Sequence, residues 1–334
     1  MKIVINNFFS GVLKRGIPIY TSELVSKLRE DGVEVIELTC PPSFYKLPSW
    51  ILNILFIFVD QLLTPLTGMA VRSKLNIYPY NSSSLIDMLT GKGVVIIHDF
   101  ISLKRNKKNL AALYVKFCIF FASKFAKKVI LISQSTARVA KKLALFNKAQ
   151  KIILPNPFFS FEKVVSRLPK NDDGYMLLVS GLGENKDLDT ALNYYFSIPD
   201  DKRIPLKILG CGNGIDRVLN KIGQRDPHKA IEIIRFIPLT DVAKLYCNSK
   251  IIWAHSLAEG YGRTLAESKL SCKNVLCTRI SAFREQVAEN IYYYSDIKEF
   301  YNKYVFLVNA MPHVEQKPLE EHVRFESELR KLYE

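Results

Sequence analysis

The residues best suited to chemistry in this chain lie together in Trp253-Ala254-His255-Ser256-Leu257-Ala258-Glu259-Gly260-Tyr261-Gly262-Arg263-Thr264-Leu265-Ala266-Glu267. An apolar run ends, a carboxylate and two glycines follow, and a helical stretch opens with a second carboxylate inside it. Gly260 and Gly262 let a backbone come close to a ligand. The helix after them leaves amide hydrogens free at its start, and such a terminus is a natural receptor for a phosphate. Glu259 is expected beside that anion, accepting hydrogen bonds from sugar-like hydroxyls, while Glu267 grips another part of the same ligand. Spacing alone leaves a second reading open, in which two solvated glutamates merely flank a helix start.

Strand-like apolar runs alternate with helical stretches along the whole chain, the signature of an α/β protein with parallel sheets. Strands are predicted at Lys2–Ile5, Val33–Leu38, Val94–Ile97 and Val129–Ile132, with a helix over Tyr20–Asp31 that Gly32 closes. A second series runs through Tyr175–Val179, Ile204–Leu209, Ile231–Phe236, Ile251–His255 and Asn274–Thr278. Between them, Leu154–Asp173 has a linker composition, with Pro155, Pro157, Pro169 and a polar run. The expected domains are residues 1–165 and 166–310, two doubly wound units facing each other across a cleft, followed by a helical segment over 311–334. Ligands then belong at the carboxyl ends of the strands.

The 334 residues suffice for two cores. Six cysteines without a C-x-x-C pair make neither a disulfide scaffold nor a zinc site, and a reducing cytoplasm is the expected setting. The 47 basic residues outnumber 32 acidic ones, and residues 1–170 hold 25 Lys/Arg against 9 Asp/Glu. Between Asp99 and Glu162 there is no carboxylate and there are 13 Lys/Arg. The first half is thus built to sit near an anion: a membrane surface, a phosphorylated ligand or nucleic acid. Residues 50–71 approach the length of a membrane span, but Asn53, Asp60, Gln61, Thr64 and Pro65 interrupt them, and a buried or interface-lying helix fits better. Leu110–Lys128 reads as a helix with Lys116, Lys124, Lys127 and Lys128 on one face, suited either to an anionic bilayer or to simple burial with lysines reaching solvent.

Several segments in order resemble the retaining glycosyltransferases of family 4, which have the GT-B fold. Glu259-Gly260-Tyr261-Gly262 to Glu267 is similar to their Glu-Gly-Phe-Gly-x-x-x-x-Glu. Leu177-Leu178-Val179-Ser180-Gly181-Leu182 with Lys186 looks like their Val-Gly-Arg-Leu-x-x-x-Lys-Gly, and Ile208-Leu209-Gly210-Cys211-Gly212 resembles their Gly-x-Gly turn. Ile234-Arg235-Phe236-Ile237-Pro238 with Leu245-Tyr246 resembles the elements beside their nucleobase pocket, and Ser281-Ala282-Phe283-Arg284-Glu285 the segment that closes the pattern. In the first half, Gly16-Ile17 with Tyr20 and Leu24, and Ile97-His98-Asp99, resemble mannosyl- and rhamnosyltransferase-like members. Phe325-Glu326 resembles the last helix, which in that fold crosses back onto the first domain. The sequence departs from the pattern at Gly181, where the family has Arg, and at Ser180, Pro18, Cys272 and Asn274.

The resemblance implies transfer of a hexose, mannose- or rhamnose-like, from a nucleotide-sugar donor to an acceptor hydroxyl with retention, needing no metal and no cofactor. It assigns catalytic positions to Glu259, His98 and Lys186, and donor binding to Gly16, Gly181, Gly210, Ile237, Glu259, Gly260, Tyr261, Gly262, Arg263, Thr264 and Glu267. Lys186 would neutralise the leaving diphosphate as a point charge, with Arg263 either standing in for the missing arginine or facing solvent. Asp99 is read as orienting His98 or capping the next helix, and Asp187-Leu188-Asp189 as a solvated string. His228, His313 and His322 have no partners that suggest ligation. The basic first half suits a lipid-linked saccharide at the inner membrane face in bacterial surface polysaccharide or lipopolysaccharide assembly, so a peripheral membrane position in the cytoplasm is expected. An inactive GT-B-like binding scaffold, a GT-B epimerase and a nucleic-acid-binding protein are the alternatives. The last would not need the carboxylate–glycine helix start.

Overall fold

A computed structural model describes residues 1–12, 16–104, 110–212, 214–310 and 320–333. His313 lies outside the described residues. The chain divides into two compact units, Met1–Pro157 with Glu321–Glu334, and Phe158–Glu320. Each holds one six-stranded sheet in which every pairing is parallel, the α/β class that the alternating pattern predicts.

In the first unit the strands are β1 (Lys2–Asn6), β2 (Glu34–Leu38), β3 (Leu75–Tyr78), β4 (Gly93–Ile97), β5 (Lys128–Leu131) and β6 (Gln150–Ile153), ordered β2-β1-β3-β4-β5-β6. In the second they are β7 (Met176–Val179), β8 (Leu206–Leu209), β9 (Ile231–Ile234), β10 (Ile251–Ala254), β11 (Val275–Thr278) and β12 (Ile291–Tyr294), ordered β12-β11-β10-β7-β8-β9. Every residue of β3, β4 and β10 is buried, as expected of parallel strands covered on both faces. Around Trp253 of β10, Tyr294, Phe300 and Tyr304 pack with Met176 and Leu178 into the second core.

Three strands lie outside the predicted set. In β3 the polar Asn76 breaks the apolar run, yet it is buried and satisfied: its amide donates to Asp87 Oδ2 at 2.7 Å and accepts from Ser73 Oγ at 2.6 Å. The edge strands β6 and β12 read as Gln-Lys-Ile-Ile and Ile-Tyr-Tyr-Tyr, patterns that name no face. The first helix spans Ile17–Glu30 rather than starting at Tyr20, because Pro18 is at home in a first helical turn.

The helix predicted over Leu110–Lys128 ends at Phe125, and Lys128 begins β5. Lys127 and Lys128 therefore do not extend the helical lysine face. Lys128 Nζ instead donates to the carbonyls of Lys331 and Leu332 (3.4 and 3.0 Å), at the C-terminal end of the helix Glu320–Tyr333, where a cation opposes the helix dipole. The boundary expected after residue 165 falls after Pro157. Phe158 and the helix Phe159–Val165 pack into the second unit, with Phe158 against Tyr261 and Phe161 against Tyr246.

Residues 49–70 form one helix that changes pitch: Ser49–Phe58 is α, Val59–Leu63 is π, and Thr64–Ala70 is α again. Pro65 explains the change. Its ring would crowd the carbonyl four residues back and it has no N–H to offer it, so the turn before it widens rather than breaks. Asp60, inside the wide turn, points into the unit, taking a hydrogen bond from Asn6 Nδ2 and one from Tyr114 OH at 3.0 Å. Burial pushes its carboxyl up to about 7.

The helix Glu320–Tyr333 belongs to the first unit. Phe325, Leu329 and Leu332 are fully buried, Lys27 pairs with Glu326 at 2.7 Å, and Tyr333 OH donates to Asp31 Oδ2 at 2.6 Å.

Candidate active site

The strand order of the second sheet reverses between β7 and β10: β8 and β9 lie to one side, β11 and β12 to the other. Loops leaving the carboxyl ends of two such strands diverge and leave a crevice between them, the usual ligand position in a doubly wound sheet. Both of the loops singled out from the sequence leave the sheet here. Ser180–Lys186 follows β7, and His255–Gly262 follows β10.

The two loops are stitched together. Leu257 N donates to Asn185 O at 2.7 Å, and Asn185 Nδ2 donates to Ala258 O at 3.2 Å. These bonds bring Lys186 Nζ onto Glu259 Oε1 in a partly buried ion pair, with side-chain exposures of 27% and 17%. The same oxygen takes a hydrogen bond from Ser256 Oγ at 2.7 Å. Ser256 is itself held by the end of β11, for Thr278 Oγ1 donates to its carbonyl at 2.7 Å and accepts from its N–H at 3.2 Å. Hydrogen bonds between the two loops, and from the end of β11, thus set a cation and a carboxylate side by side at the switch point.

Gly262 is the N-cap of the helix Arg263–Leu270, with φ 90° and ψ 57°. Only glycine adopts this conformation without strain, and a Cβ there would sit 2.6 Å from Phe283 Cδ1. Glycine places no side-chain cap over the start of this helix, and a helix terminus of this kind suits an anion. Gln286 secures the turn from behind, donating through Nε2 to the carbonyls of Tyr261 (2.8 Å) and Gly262 (2.9 Å). Tyr261 is buried, with its ring centroid 6.0 Å from that of Phe158, and Thr264 is buried in the first turn. Gly260, partly exposed, lies between Glu259 and that anchored turn.

Glu267, one turn further in, accepts from Tyr246 OH at 2.6 Å on Oε2 and pairs with Arg263 Nη2 at 3.2 Å on Oε1. Burial first, then the Glu267 charge, raise the Tyr246 phenol well above its ordinary range, so it remains a donor to that carboxylate. The Arg263 guanidinium lies over the Phe158 ring, 4.5 Å from its centroid. The reading of Glu259 and Glu267 as two freely solvated glutamates is therefore wrong; both are engaged and largely buried.

The remaining sites spread more widely. Gly181 and Gly210 end β7 and β8 beside each other, the Gly210 carbonyl lying 3.5 Å from where a Gly181 Cβ would be. Ile237 lies past β9 and lines an open groove of about 300 Å³ with Tyr175, Lys207 and Leu245. Gly16 and His98 belong to the first unit. Gly16 caps the helix Ile17–Glu30, while His98 directly follows β4 with its ring edge-on to Tyr20 (centroids 5.0 Å) and its backbone N–H donating to Asn81 Oδ1 at 2.7 Å. Asp99 Oδ1 accepts from Ile101 N at 2.8 Å, a capping contact at the next helical turn. Asp189, read as solvated, pairs with Lys221. His228 is exposed and His322 is buried.

Ser256, Asn185, Gln286 and Phe158 were not singled out in the sequence. Ser256 stands three residues before Glu259 and carries the nearest thing to a signal; the others come from separate elements. His255 is also part of the architecture: its Nδ1 is 2.6 Å from Tyr294 OH, which accepts from Trp253 Nε1 at 2.8 Å. Burial lowers the imidazole to about 4, so the ring is neutral near pH 7.

Residues 160–305 match the family Glycosyl transferases group 1. No curated protein matches the chain in sequence. Solved structures of similar fold include sucrose-phosphate synthase from Thermosynechococcus elongatus (12% identity, TM-score 0.68, covering 100% of this chain and 95% of that one). HepE from Anabaena in complex with UDP-glucose is another (14% identity, TM-score 0.63, 99% and 94% covered). A third is WaaG, a glycosyltransferase involved in lipopolysaccharide biosynthesis (11% identity, TM-score 0.64, 99% and 94% covered). At these identities the likeness is one of fold, and the fold is GT-B.

Proposed function

We propose that this protein is a glycosyltransferase that moves a sugar from a nucleotide-sugar donor to an acceptor hydroxyl. The observation that carries the reading is the Lys186–Glu259 pair set beside the uncapped helix start at Gly262, at the switch point of the second sheet. The match of residues 160–305 to Glycosyl transferases group 1, and the UDP-glucose complex of the similarly folded HepE, support the same ligand class.

In this reading the donor diphosphate lies against the amides of Arg263 and Thr264 and draws Lys186 away from Glu259. Freed of its cation, Glu259 accepts hydrogen bonds from the transferred sugar, and Ser256 keeps its carboxylate oriented. Glu267, braced by Tyr246 and Arg263, takes the ribose hydroxyls. The acceptor oxygen bonds to the anomeric carbon from the leaving-group face as the carbon–oxygen bond to the diphosphate breaks. The departing phosphate oxygen takes the acceptor's proton, so configuration is retained without a protein nucleophile. Catalysis is then positioning and charge stabilisation, with no metal or cofactor in the proposal. His98, in the first unit, serves the acceptor side. The sugar is proposed to be a mannose- or rhamnose-like hexose and the acceptor a lipid-linked saccharide, the latter on the excess of basic residues in the first half.

Thermal melting against UDP-, GDP-, dTDP- and ADP-sugars tests the donor. A ligand at a hundred times its Kd stabilises the native state by about 2.7 kcal/mol, a readily measured shift. Donor turnover by the same sample separates an enzyme from a binding scaffold, and product analysis separates transfer from epimerisation. Absence of both a shift and turnover across the panel defeats the proposal.

A further inference from the structure

The helix Ser49–Ala70 leaves one side uncovered. Trp50, Ile54, Phe58, Leu62, Leu66 and Met69 form a ridge whose members are 45–63% exposed. Along a straight α-helix, steps of four residues drift by about 40° each. The π turn at Val59–Leu63 and the final three-residue step to Met69 turn the ridge back, keeping it on one side. The opposite side is occupied: Leu52, Phe56 and Val59 are packed with Phe8, Cys40 and Tyr80, and Asp60 is bonded to Asn6 and Tyr114. Tyr114 also touches Phe56 (centroids 6.2 Å), bringing alongside it the helix Leu110–Phe125, on which Leu113, Phe117 and Phe120 are exposed.

The surroundings are electrically one-sided. From residue 38 to residue 161 the chain carries 17 Lys/Arg and three carboxylates, Asp60, Asp87 and Asp99. Asp60 and Asp87 are buried, and half-buried Asp99 is engaged with the Ile101 amide. Lys46, Arg72 and Lys124 are exposed, while the exposed Lys74 is engaged with the Tyr333 carbonyl.

We infer that the helix Ser49–Ala70 lies in the plane of an anionic lipid bilayer, its apolar ridge sunk below the headgroups and the flanking cations held by lipid phosphates. The inference rests on the proposed lipid-linked acceptor and names the surface that brings the protein to it. The helix is long and apolar enough to cross a membrane by length and composition. Its inner side, however, is part of the first unit's core, so it docks in-plane and does not span. Amphipathic helices bind interfaces in this way, through apolar area plus attraction to anionic lipid. A second copy of the chain is the poorer occupant, because a two-fold contact sets this basic surface against itself.

Tryptophan fluorescence tests the inference directly. The chain has two tryptophans, and Trp253 is fully buried. Adding phosphatidylcholine–phosphatidylglycerol vesicles to the full chain should therefore shift Trp50 emission to the blue. The shift should be absent with phosphatidylcholine alone, weaken with salt, and vanish in Trp50→Phe. The variant Phe58→Ser/Leu62→Ser/Leu66→Ser, altered only on the exposed side, should lose vesicle sedimentation by at least about tenfold. Its circular dichroism and its melting shift with a nucleotide-sugar should be unchanged. No blue shift with anionic vesicles, or equal sedimentation of the triple variant, overturns the inference. So does a dimer in gel filtration that the triple variant turns into a monomer. Donor melting shifts are read without lipid, so docking and donor binding fail separately.

Discussion

Asp60 gives the sharpest quantitative test of the architecture. Its carboxyl is fully buried inside the π turn, and burial raises it from 3.8 to about 7, against the pull of its hydrogen bonds from Asn6 and Tyr114. A raised folded value means that the native state keeps a proton the unfolded chain has released. The stabilisation is complete below 3.8 and is lost as pH climbs through about 7. Between pH 5 and pH 8 this one group should withdraw on the order of 3 kcal/mol from the first unit, at 1.36 kcal/mol per pKa unit. Asp60→Asn removes the titration while keeping the shape. The stability difference between variant and wild type, read by urea unfolding followed by circular dichroism, should therefore swing toward the variant by about that amount over the interval. The absolute offset depends on how the amide shares the Asn6 and Tyr114 bonds; the swing does not. Parallel pH curves for the two proteins would refute the account of a neutral, desolvated carboxyl holding the helix to β1.

Three further outcomes follow from the second unit. Lys186→Ala and Glu259→Ala should each lower transfer by at least about tenfold, ~1.4 kcal/mol of barrier, and unchanged rates in both would remove the site assignment. Gly262→Ala should destabilise by about 1–2 kcal/mol from its left-handed backbone alone, and the displaced Phe283 ring should weaken the donor's melting shift; an unaffected shift would separate this turn from donor binding. His255, lowered by burial from 6.5 to about 4, contributes stability present above 6.5 that drains away as pH falls toward 4. From pH 7.5 to pH 5 the wild type should lose about 2 kcal/mol more than His255→Asn, and equal losses in calorimetry would contradict a buried neutral ring.

The α/β class was legible because parallel strands buried on both faces must be nearly continuous apolar runs, as Val94–Ile97 and Ile251–Ala254 are. Asn76 hid β3, since its partners Ser73 and Asp87 make a buried amide acceptable in ways no local pattern announces. The carboxylate–glycine helix start was legible for a related reason. Gly262 needs a left-handed backbone, and that need is visible as a glycine before a helical stretch. What braces the start was not legible. Gln286 and Asn185 reach it from two other elements, and only the sheet's strand order brings them within hydrogen-bonding distance. The placement of the lysines at 124–128 failed at a boundary: helical periodicity continued past Phe125, but β5 claimed Lys128 and turned it toward the end of the last helix.

That last helix imposes an order on biosynthesis. Residues 158–320 are threaded into the chain between the bulk of the first unit and the helix that completes it. A ribosome releases the first six strands long before Phe325, Leu329 and Leu332 exist to cover them. The nascent first unit must wait, with that face bare, through the making of an entire second sheet. Shearing off the closing helix would injure the part of the protein farthest from it in translation, and leave the late-made part whole.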